Sequence, residues 1–456
     1  MKKNHGLYQR GVYSEAIRLF AWMFLTFIPG AIFGSENIRA LEPTTEPIHV
    51  RVLFEAHPSK EAVIAWTTTA EGSDHRLYYD TMPRSSELSR GVPVQSAYKY
   101  SLPSTHSAPY TLRPEEAEAG MHAWSHNVYL SDLKPGTAYY LTVLSDGDTS
   151  EEFHFVTAPD TNSPVRVLAV GDSRTPRVEN LDGTRRTHPE NTRRQVNATM
   201  RRQLEAHPRI IALLHGADYT KRAYWGELYW WLKDHTEMTT TAANRLLPII
   251  PARGNHDLDI GFEEMFWWPD RENDFYYASH LNAETALITL NTEISRGGNQ
   301  REWLESQLEE LRSEKRWLMA MYHRPAYPSV RDYKSAAPQR SAWVPLFEQY
   351  GLDLSYESHD HALKRTHPIF AGEINRERGI IYFGDGGGGV AQRHPHPDRW
   401  YLAKTGRYHH IHMLSFGNNK LDVEGISIDD EVIDAFSVSH DRRRSTERDA
   451  VLSGTR

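Results

Sequence analysis

The segment VRVLAVGDSR (residues 165–174) joins a run that is apolar except at Arg166 to a glycine and then directly to an aspartate, Asp172. Further apolar runs of similar length follow along the chain, separated by helix-like stretches such as residues 193–206 and 300–315. Continuous apolar runs bounded by helices are typical of strands that are buried on both faces of an α/β layer structure. The chain after Pro164 is therefore predicted to be an α/β body.

Polar residues stand directly after five of these runs. The runs and the residues that follow them are Val165–Val170 with Asp172, Ile210–Leu214 with Asp218, Leu246–Pro251 with Asn255, Trp317–Tyr322 with His323, and Leu352–Tyr356 with His359 and His361. In an open α/β sheet, ligands bind outside the carboxyl ends of the strands, so these side chains are expected at one edge. Carboxylate, amide and imidazole donors in that arrangement suit a two-metal hydrolytic centre.

Composition narrows the chemistry further. The chain has 456 residues, no cysteine and 24 histidines. The absence of cysteine excludes disulfides, thiolate metal sites, iron–sulfur clusters and a cysteine nucleophile. A net charge of −8 makes the whole molecule a poor electrostatic partner for nucleic acid, and none is expected.

Residues 45–160 show a different pattern, with short alternating runs such as Val50–Phe54, Glu61–Thr67 and Tyr139–Val143. Turn signals, among them Lys134-Pro135-Gly136, separate some of them, which predicts an all-β sandwich. Leu133–Tyr140, together with Trp66, resembles a fibronectin type III module. Such modules are mostly spacers or contact surfaces.

Both ends of the chain differ from the rest. Residues 1–40 combine basic positions with the apolar run Leu19–Ile28, which favours a signal peptide. An uncleaved anchor and a buried core helix are the alternatives, and stable membrane insertion is expected only if the segment is not cleaved. Export to the periplasm, the cell surface or the medium is predicted. Residues 439–456 are charged and are predicted to form a disordered tail.

Two other histidine groups compete with the predicted site. His394 and His396 lie in a proline-broken loop and are interpreted as a solvated turn. His409, His410 and His412 are interpreted as a strand edge, with a ligand role as the alternative.

Two motifs carry a family resemblance: YGLDLSYESHDH (residues 350–361) and GNHD (residues 254–257). With the preceding strand ends, they make residues 164–438 resemble the calcineurin-like metallophosphoesterase superfamily. The module in front makes the layout similar to purple acid phosphatases. The resemblance implies a layered β-sandwich core with helices on the outside, preceded by the fibronectin type III-like sandwich.

The resemblance also implies residue roles. Asp172 and His361 would bind a first metal ion, Asp218 would bridge, and Asn255, His323 and His359 would bind a second. Two divalent or trivalent ions are implied, and iron, zinc and manganese all suit these donors. His256 resembles the family's catalytic histidine, which would stabilise the transferring group or protonate the leaving oxygen.

The activity implied is metal-dependent hydrolysis of phosphoesters by a metal-activated hydroxide, with small phosphomonoesters as the first expectation. One alternative is a phosphodiesterase that acts on nucleotides or lipid headgroups, because the same metal core serves both reactions. Another is a non-catalytic surface protein that binds phosphorylated ligands.

The chain departs from the family pattern at four positions. Arg174 stands where many members have a histidine ligand, and Lys221 stands where purple acid phosphatases have a tyrosine ligand. Water or Tyr219 would then complete the first metal site, or that site would bind weakly. Arg174 is predicted to contact substrate phosphate, with an ordinary ion pair as the alternative. Ala217 and Ser358 replace glycines usual in the family.

Overall fold

The computed structural model describes residues 42–174, 192–269, 271 and 274–440. The predicted signal peptide lies outside these residues, and so does the predicted tail beyond His440. Among the described residues, no helix combines the length and the apolar character needed to cross a bilayer.

Short strands make up most of the region before Pro164, in line with its alternating pattern. The strands are β1 (Ile48–Leu53), β2 (Ala62–Thr68), β3 (His75–Asp80), β4 (Tyr100–Pro103), β5 (His106–Pro109), β6 (Trp124–Leu130), β7 (Ala138–Ser145), β8 (Asp148–Thr149) and β9 (Phe153–Val156). The short helices are α1 (Ser85–Leu88), α2 (Val94–Ala97) and α3 (Pro114–Glu118). β4, β3, β7 and β8 form one sheet with β9 on β7, and its inner residues share a core with β2 and β6.

Longer helices alternate with strands in the second region. The strands are β10 (Val165–Val170), β11 (Ile210–His215), β12 (Ile249–Pro251), β13 (Tyr277–Asn282), β14 (Thr285–Thr289), β15 (Trp317–Tyr322), β16 (Leu354–Glu357), β17 (Leu363–Thr366), β18 (Ile369–Phe370), β19 (Glu373–Ile374), β20 (Ile381–Gly384), β21 (Leu402–Gly406), β22 (His410–Phe416), β23 (Lys420–Ser427) and β24 (Val432–Ser439). The helices are α4 (Thr192–Ala206), α5 (Trp225–Thr239), α6 (Gly261–Met265), α7 (Gly298–Glu314), α8 (Ala337–Ala342) and α9 (Val344–Gln349), with a 3₁₀ turn at Tyr333–Ala336.

One ten-stranded sheet runs through both regions in the order β24-β23-β22-β10-β11-β12-β1-β2-β6-β5. β10, β11 and β12 are parallel, and β1 joins β12 in parallel where Leu53 pairs with Ile249. The front module is therefore an extension of the sheet that carries half of the predicted site. The division into residues 45–160 and 164–438 stays a prediction.

The second large sheet has the order β13-β14-β15-β16-β20-β17-β21, with β14, β15, β16 and β20 parallel. Its inner face packs against the ten-stranded sheet, since Val167 and Leu214 share a core with Met319 and Phe383. α4 covers the outer face of the ten-stranded sheet and α7 that of the seven-stranded sheet. This arrangement confirms the predicted α/β fold, a layered β-sandwich with helices on the outside.

Candidate metal centre

The polar residues predicted after the strands lie at one edge of the paired sheets. The ten-stranded sheet supplies Asp172 after β10, Asp218 after β11, and Asn255 and His256 after β12. The seven-stranded sheet supplies His323 after β15, and His359 and His361 after β16. Donor atoms from both sheets approach each other because the sheets pack face to face.

Four of these residues have left-handed backbone angles. The φ values are 54° at Asp172, 58° at Asp218, 80° at His359 and 60° at His361. Left-handed backbone costs a non-glycine residue about 1–2 kcal/mol, so the surrounding structure must hold each turn. Strained backbone thus recurs at three turns of this edge, those after β10, β11 and β16, and such clustering is typical of functional sites.

Four residues form a compact set that we call the second donor group: Asp218, Asn255, His323 and His359. His323 Nε2 lies 3.2 Å from Asp218 Oδ1, 3.2 Å from Asn255 Oδ1 and 3.0 Å from His359 Nδ1. The ligand atoms of Asp218, His323 and His359 all lie within 4.8 Å of one another, and all three residues are buried. Lone pairs that face each other at such distances repel one another unless a proton or a metal ion lies between them.

The protonation of this group is consistent with metal binding. His323 Nδ1 donates to the carbonyl of Gly216 at 3.0 Å, which directs Nε2 into the group. Burial lowers the pKa of His323, but the Asp218 carboxylate outweighs it and raises that pKa to about 10. The proton on His323 thus balances the negative charge of Asp218, and a metal ion that bound here would displace that proton. These residues therefore fit a metal ion.

His359 is kept neutral beside them. Burial first, and then the charge of His323, hold the pKa of His359 well below its usual range. Neutral imidazole is the form that binds a metal. Its backbone N–H donates to Asp172 Oδ2 at 2.7 Å, so the turn that carries His359 rests on the carboxylate after β10.

Asp172, Asp218 and His361 form the first donor group. His361 Nε2 lies 3.0 Å from Asp172 Oδ1, and within the described part of the chain that buried oxygen accepts no hydrogen bond. Arg174 enters this group: its Nε donates to Asp218 Oδ2 at 3.1 Å and its Nη2 to His361 Nε2 at 3.2 Å. The first group therefore already contains the guanidinium of an arginine.

His256 lies at the mouth of the site, with 28% of its side chain exposed. Its backbone N–H donates to Asp218 Oδ1 at 3.0 Å, and Nδ1 donates to the carbonyl of Lys221 at 2.9 Å. Nε2 is left facing the site, 4.0 Å from Asp218 Oδ2. Because Nδ1 is held by a carbonyl, Nε2 is the atom that can exchange a proton with a substrate.

Asp257 braces two loops of the site. Its carboxylate accepts hydrogen bonds from the backbone N–H groups of Asp218, Tyr219 and Gly254 at 2.7, 3.1 and 3.0 Å. Burial and the nearby Asp218 charge raise the pKa of Asp257 to about 8. Its partners are backbone groups, so it positions the Asp218 loop and not the His256 imidazole.

Other residues near the site have structural roles. Arg324 forms a two-pronged ion pair with Glu293 at 2.8 and 2.9 Å. The Tyr219 hydroxyl donates to the carbonyl of His215 at 3.3 Å and its ring stacks on that histidine, in the core. Tyr219 is therefore held away from the first donor group.

A buried polar network that sequence analysis missed lies beneath the His359–His361 turn. The Lys364 ammonium binds the Glu357 carboxylate, donates to the carbonyl of Tyr327 at 2.7 Å and lies 3.5 Å from Asp385 Oδ2. Tyr322 donates to the other oxygen of Glu357 at 2.6 Å. Lys364 and Glu357 are both fully buried. In the sequence they stand on either side of the histidine motif, and this placement of opposite charges was the signal that could have predicted the ion pair.

A glycine-rich loop after β20 was also missed. Gly386 has φ 86°, and a Cβ there would lie 2.1 Å from Asp172 Oδ2. The N–H of Gly388 donates to the carbonyl of Gly171 at 2.9 Å. The loop thus packs directly on the Asp172 turn, and the run Gly386–Gly389 in the sequence was its signal.

The competing histidines lie elsewhere. His394 and His396 are exposed, as expected for a solvated turn. His412 is buried against the rings of Tyr356 and Phe383, and His410 Nδ1 donates to the carbonyl of Tyr408 at 2.9 Å. Neither pair joins a donor group.

Comparison with known proteins agrees with this fold. Residues 47–157 match the family model for the purple acid phosphatase N-terminal domain, and residues 165–363 match that for calcineurin-like phosphoesterases. An uncharacterized protein of Mycobacterium tuberculosis is 24% identical over 399 residues, which cover 78% of this chain and 71% of the relative. Purple acid phosphatase 1 of Ipomoea batatas is 23% identical over 411 residues, 83% of this chain and 78% of that protein. Purple acid phosphatase PPD1 of yellow lupin has a similar fold, with a TM-score of 0.69 at 19% identity over 87% of this chain and 75% of that structure.

Residues 165–363 form a calcineurin-like phosphoesterase domain. The predicted resemblance is confirmed, including the purple acid phosphatase type of N-terminal domain. The protein is a phosphoric ester hydrolase, and its family works with metal centres. The non-catalytic alternative is not supported, whereas the fibronectin type III label stays a prediction.

Three of the residues that differ from the family pattern, Lys221, Ala217 and Ser358, lie in or beside the loops of the site. Lys221 is exposed, and its backbone carbonyl accepts the hydrogen bond from His256 Nδ1. Ala217 keeps a left-handed angle, φ 77°, so the glycine-type backbone is retained at the cost of strain. Ser358 lies outside the left-handed region. Its Oγ is 2.1 and 2.3 Å from where a Cβ on Gly171 or Gly216 would be, so it fills space between those two turns.

Proposed function

We propose that this metallophosphoesterase hydrolyses phosphomonoesters at the carboxyl edge of its paired sheets, with a metal ion held by the second donor group. The observation that carries the proposal is the buried convergence of Asp218, His323 and His359 within 4.8 Å. Asn255 contributes an amide oxygen to the same point. Nitrogen and oxygen donors of this kind suit iron, zinc and manganese.

The bound metal would supply Lewis-acid chemistry, withdrawing charge from the phosphoryl group and making water more acidic. The side chains around it orient the substrate. His256 Nε2, held at the mouth by the Nδ1 contact with Lys221, is placed to hydrogen-bond the transferring group or to protonate the leaving oxygen. Asp218 accepts a hydrogen bond from the His256 backbone N–H, so the proposed metal ligand also fixes the backbone position of the catalytic histidine.

Arg174 is proposed to contact a phosphoryl oxygen. Its guanidinium lies in the first donor group beside the shared Asp218, and its side chain is 19% exposed, so it is accessible to a substrate. Guanidinium hydrogen bonds to phosphate are charge-assisted and do not depend on pH near neutrality. Arg174 would thus bind one phosphoryl oxygen of the substrate, and the metal ion would bind another.

A monoester is favoured over a diester because cations surround the opening. Besides Arg174, Arg331 lies 3.5 Å from Asp360, and the N–H of Arg393 donates to the carbonyl of His361 at 2.9 Å. Burial and then the neighbouring charge of Arg331 lower the pKa of Arg393, which reflects this crowding of positive charge. A monoester carries up to two negative charges near neutral pH and a diester one, so this rim stabilises the monoester more.

Export is part of the proposal. The basic and apolar pattern of residues 1–40 favours secretion, and a cysteine-free chain does not need disulfides outside the cytoplasm. Fractionation of cells that produce the full chain would test this, and protein found only in the cytoplasm would contradict it.

The activity is tested with 4-nitrophenyl phosphate and bis(4-nitrophenyl) phosphate on metal-loaded protein. We expect kcat/KM for the monoester to exceed that for the diester by about tenfold or more. A chelator should abolish both activities, and so should Asp218→Asn, whereas Asp429→Asn, at an exposed carboxylate, serves as the matched control. Faster hydrolysis of the diester would establish a phosphodiesterase instead.

A further inference from the structure

The two donor groups share Asp218 but differ in what lies between their members. In the second group His323 Nε2 faces Asp218 Oδ1, Asn255 Oδ1 and His359 Nδ1, and among the described residues no lysine or arginine side chain is hydrogen-bonded to these four atoms. The first group contains the guanidinium of Arg174, bonded to two of its three members. A guanidinium cannot lose its proton in a protein, so this charge is permanent.

Arg174 uses the atoms that a first metal ion would need. Its Nη2 can only donate, so His361 Nε2 accepts at 3.2 Å and its lone pair is committed. The second oxygen of Asp218 accepts from Nε at 3.1 Å, which leaves Oδ1 for the second group. A divalent ion at this point would compete with a fixed cation for the same two atoms and would be repelled by it.

The position of Arg174 is also fixed by its backbone. Its N–H donates to the carbonyl of Asp218 at 3.2 Å, so the residue is attached to the Asp218 loop through main chain and side chain. The N–H of Asp172, two residues earlier, donates to the carbonyl of Ala217 at 2.9 Å. The turn after β10 therefore holds the guanidinium inside the first group.

We propose that the Arg174 guanidinium takes the place of the first metal ion, and that this enzyme binds a single metal ion, in the second donor group. The inference rests on the proposed metal site. The guanidinium faces one oxygen of the shared Asp218 carboxylate, Oδ2, and the metal ion would bind the other, Oδ1. The guanidinium also carries donors that a metal lacks, so it can hydrogen-bond a phosphoryl oxygen in a fixed direction.

The inference is tested by counting metal ions. Wild-type protein, Arg174→His and Arg331→His are equilibrated with excess Mn²⁺ or Zn²⁺, passed through a desalting column and analysed by elemental mass spectrometry. We expect about one equivalent in the wild type and about two in Arg174→His, which gains an imidazole and loses the competing charge. Arg331→His removes a nearby cation that is bonded to neither group, and it should stay at about one.

Electron paramagnetic resonance of the manganese-loaded proteins gives a second readout. The wild type should show the spectrum of an isolated ion, and Arg174→His that of a coupled pair. Two equivalents in the wild type, or no gain in Arg174→His, would overturn the inference and leave the phosphatase proposal intact. Zero equivalents in the wild type would overturn both. The number of metal ions bound by the wild-type protein distinguishes the outcomes without any variant, so the test holds even if a variant does not fold.

Discussion

The Nε atom of Arg174 donates to Oδ2 of Asp218 at 3.1 Å, while Oδ1 of the same carboxylate lies 3.2 Å from His323 Nε2. A single buried carboxylate thus faces a fixed guanidinium on one side and a metal-binding imidazole on the other. Burial alone would raise the pKa of the Asp218 carboxyl, but His323, and then Arg174, hold it below its usual range. The carboxylate is therefore charged and able to bind a metal ion.

Removal of a ligand should separate metal binding from folding. His359→Ala is expected to lose most bound metal and about 100-fold or more in kcat/KM, because it removes a neutral imidazole from the second donor group. Circular dichroism should stay unchanged. His396→Ala, at an exposed histidine of the proline-broken loop, is the control and should keep both metal and activity. Full metal content in His359→Ala would refute the assignment.

Iron-loaded protein should lack the charge-transfer colour of purple acid phosphatases. Lys221 replaces the tyrosine ligand of that family, and the nearby Tyr219 hydroxyl donates to the carbonyl of His215 in the core. The measurement is a visible absorption spectrum after loading with Fe³⁺. A strong visible band that disappears in Tyr219→Phe would show that a tyrosinate reaches the metal after all.

Ala217→Gly should stabilise the protein. Ala217 holds φ 77°, a backbone conformation that glycine adopts without a Cβ penalty. The free energy of unfolding is expected to rise by about 1 kcal/mol, measured by urea denaturation. Ala320→Gly, at a buried position in β15, should lower it instead. Equal losses in both variants would mean that the Ala217 angle carries no strain.

Lys364→Met should destabilise the fold by about 3–5 kcal/mol, since it leaves the buried Glu357 carboxylate without its counter-charge. The double variant Glu357→Gln, Lys364→Met should recover part of that loss, because no buried charge of this pair remains. Both are measured by urea denaturation. Additive losses in the double variant would show that the two residues act independently.

His126 should make stability depend on pH. Its imidazole contacts the hydroxyls of Thr68 at 2.8 Å and Ser107 at 2.9 Å, and burial, then His75, lower its pKa from 6.5 to about 3. The unfolded chain binds the proton first as pH falls, so the contribution is present above pH 6.5 and is lost toward pH 3.

The loss in that window should reach about 1.4 kcal/mol per pH unit for this one group. Unfolding free energies of the wild type and His126→Gln, measured by urea at several values between pH 7 and 5, should show a shallower dependence in the variant. His122→Gln, at an exposed histidine, is the control. The same pH dependence in all three proteins would contradict the role given to His126.

Much of the fold could be predicted because burial leaves a strong pattern. The largely apolar runs at Val165–Val170 and Trp317–Tyr322 are strands with little or no exposed surface, and the polar residues that follow them lie at one edge. The continuation of the core sheet into the front module could not be predicted, since the pairing of Leu53 with Ile249 joins residues far apart in the chain.

The amino-acid pattern was enough to identify the residues at the ends of the strands, because apolar runs of this kind are stable only when buried between layers. The pattern also places an arginine at position 174. The contacts of that arginine depend on the three-dimensional fold, since Asp218 and His361 lie 44 and 187 positions away. The guanidinium meets both because two sheets pack face to face, and hydrogen bonds between such distant residues leave no local pattern in a sequence.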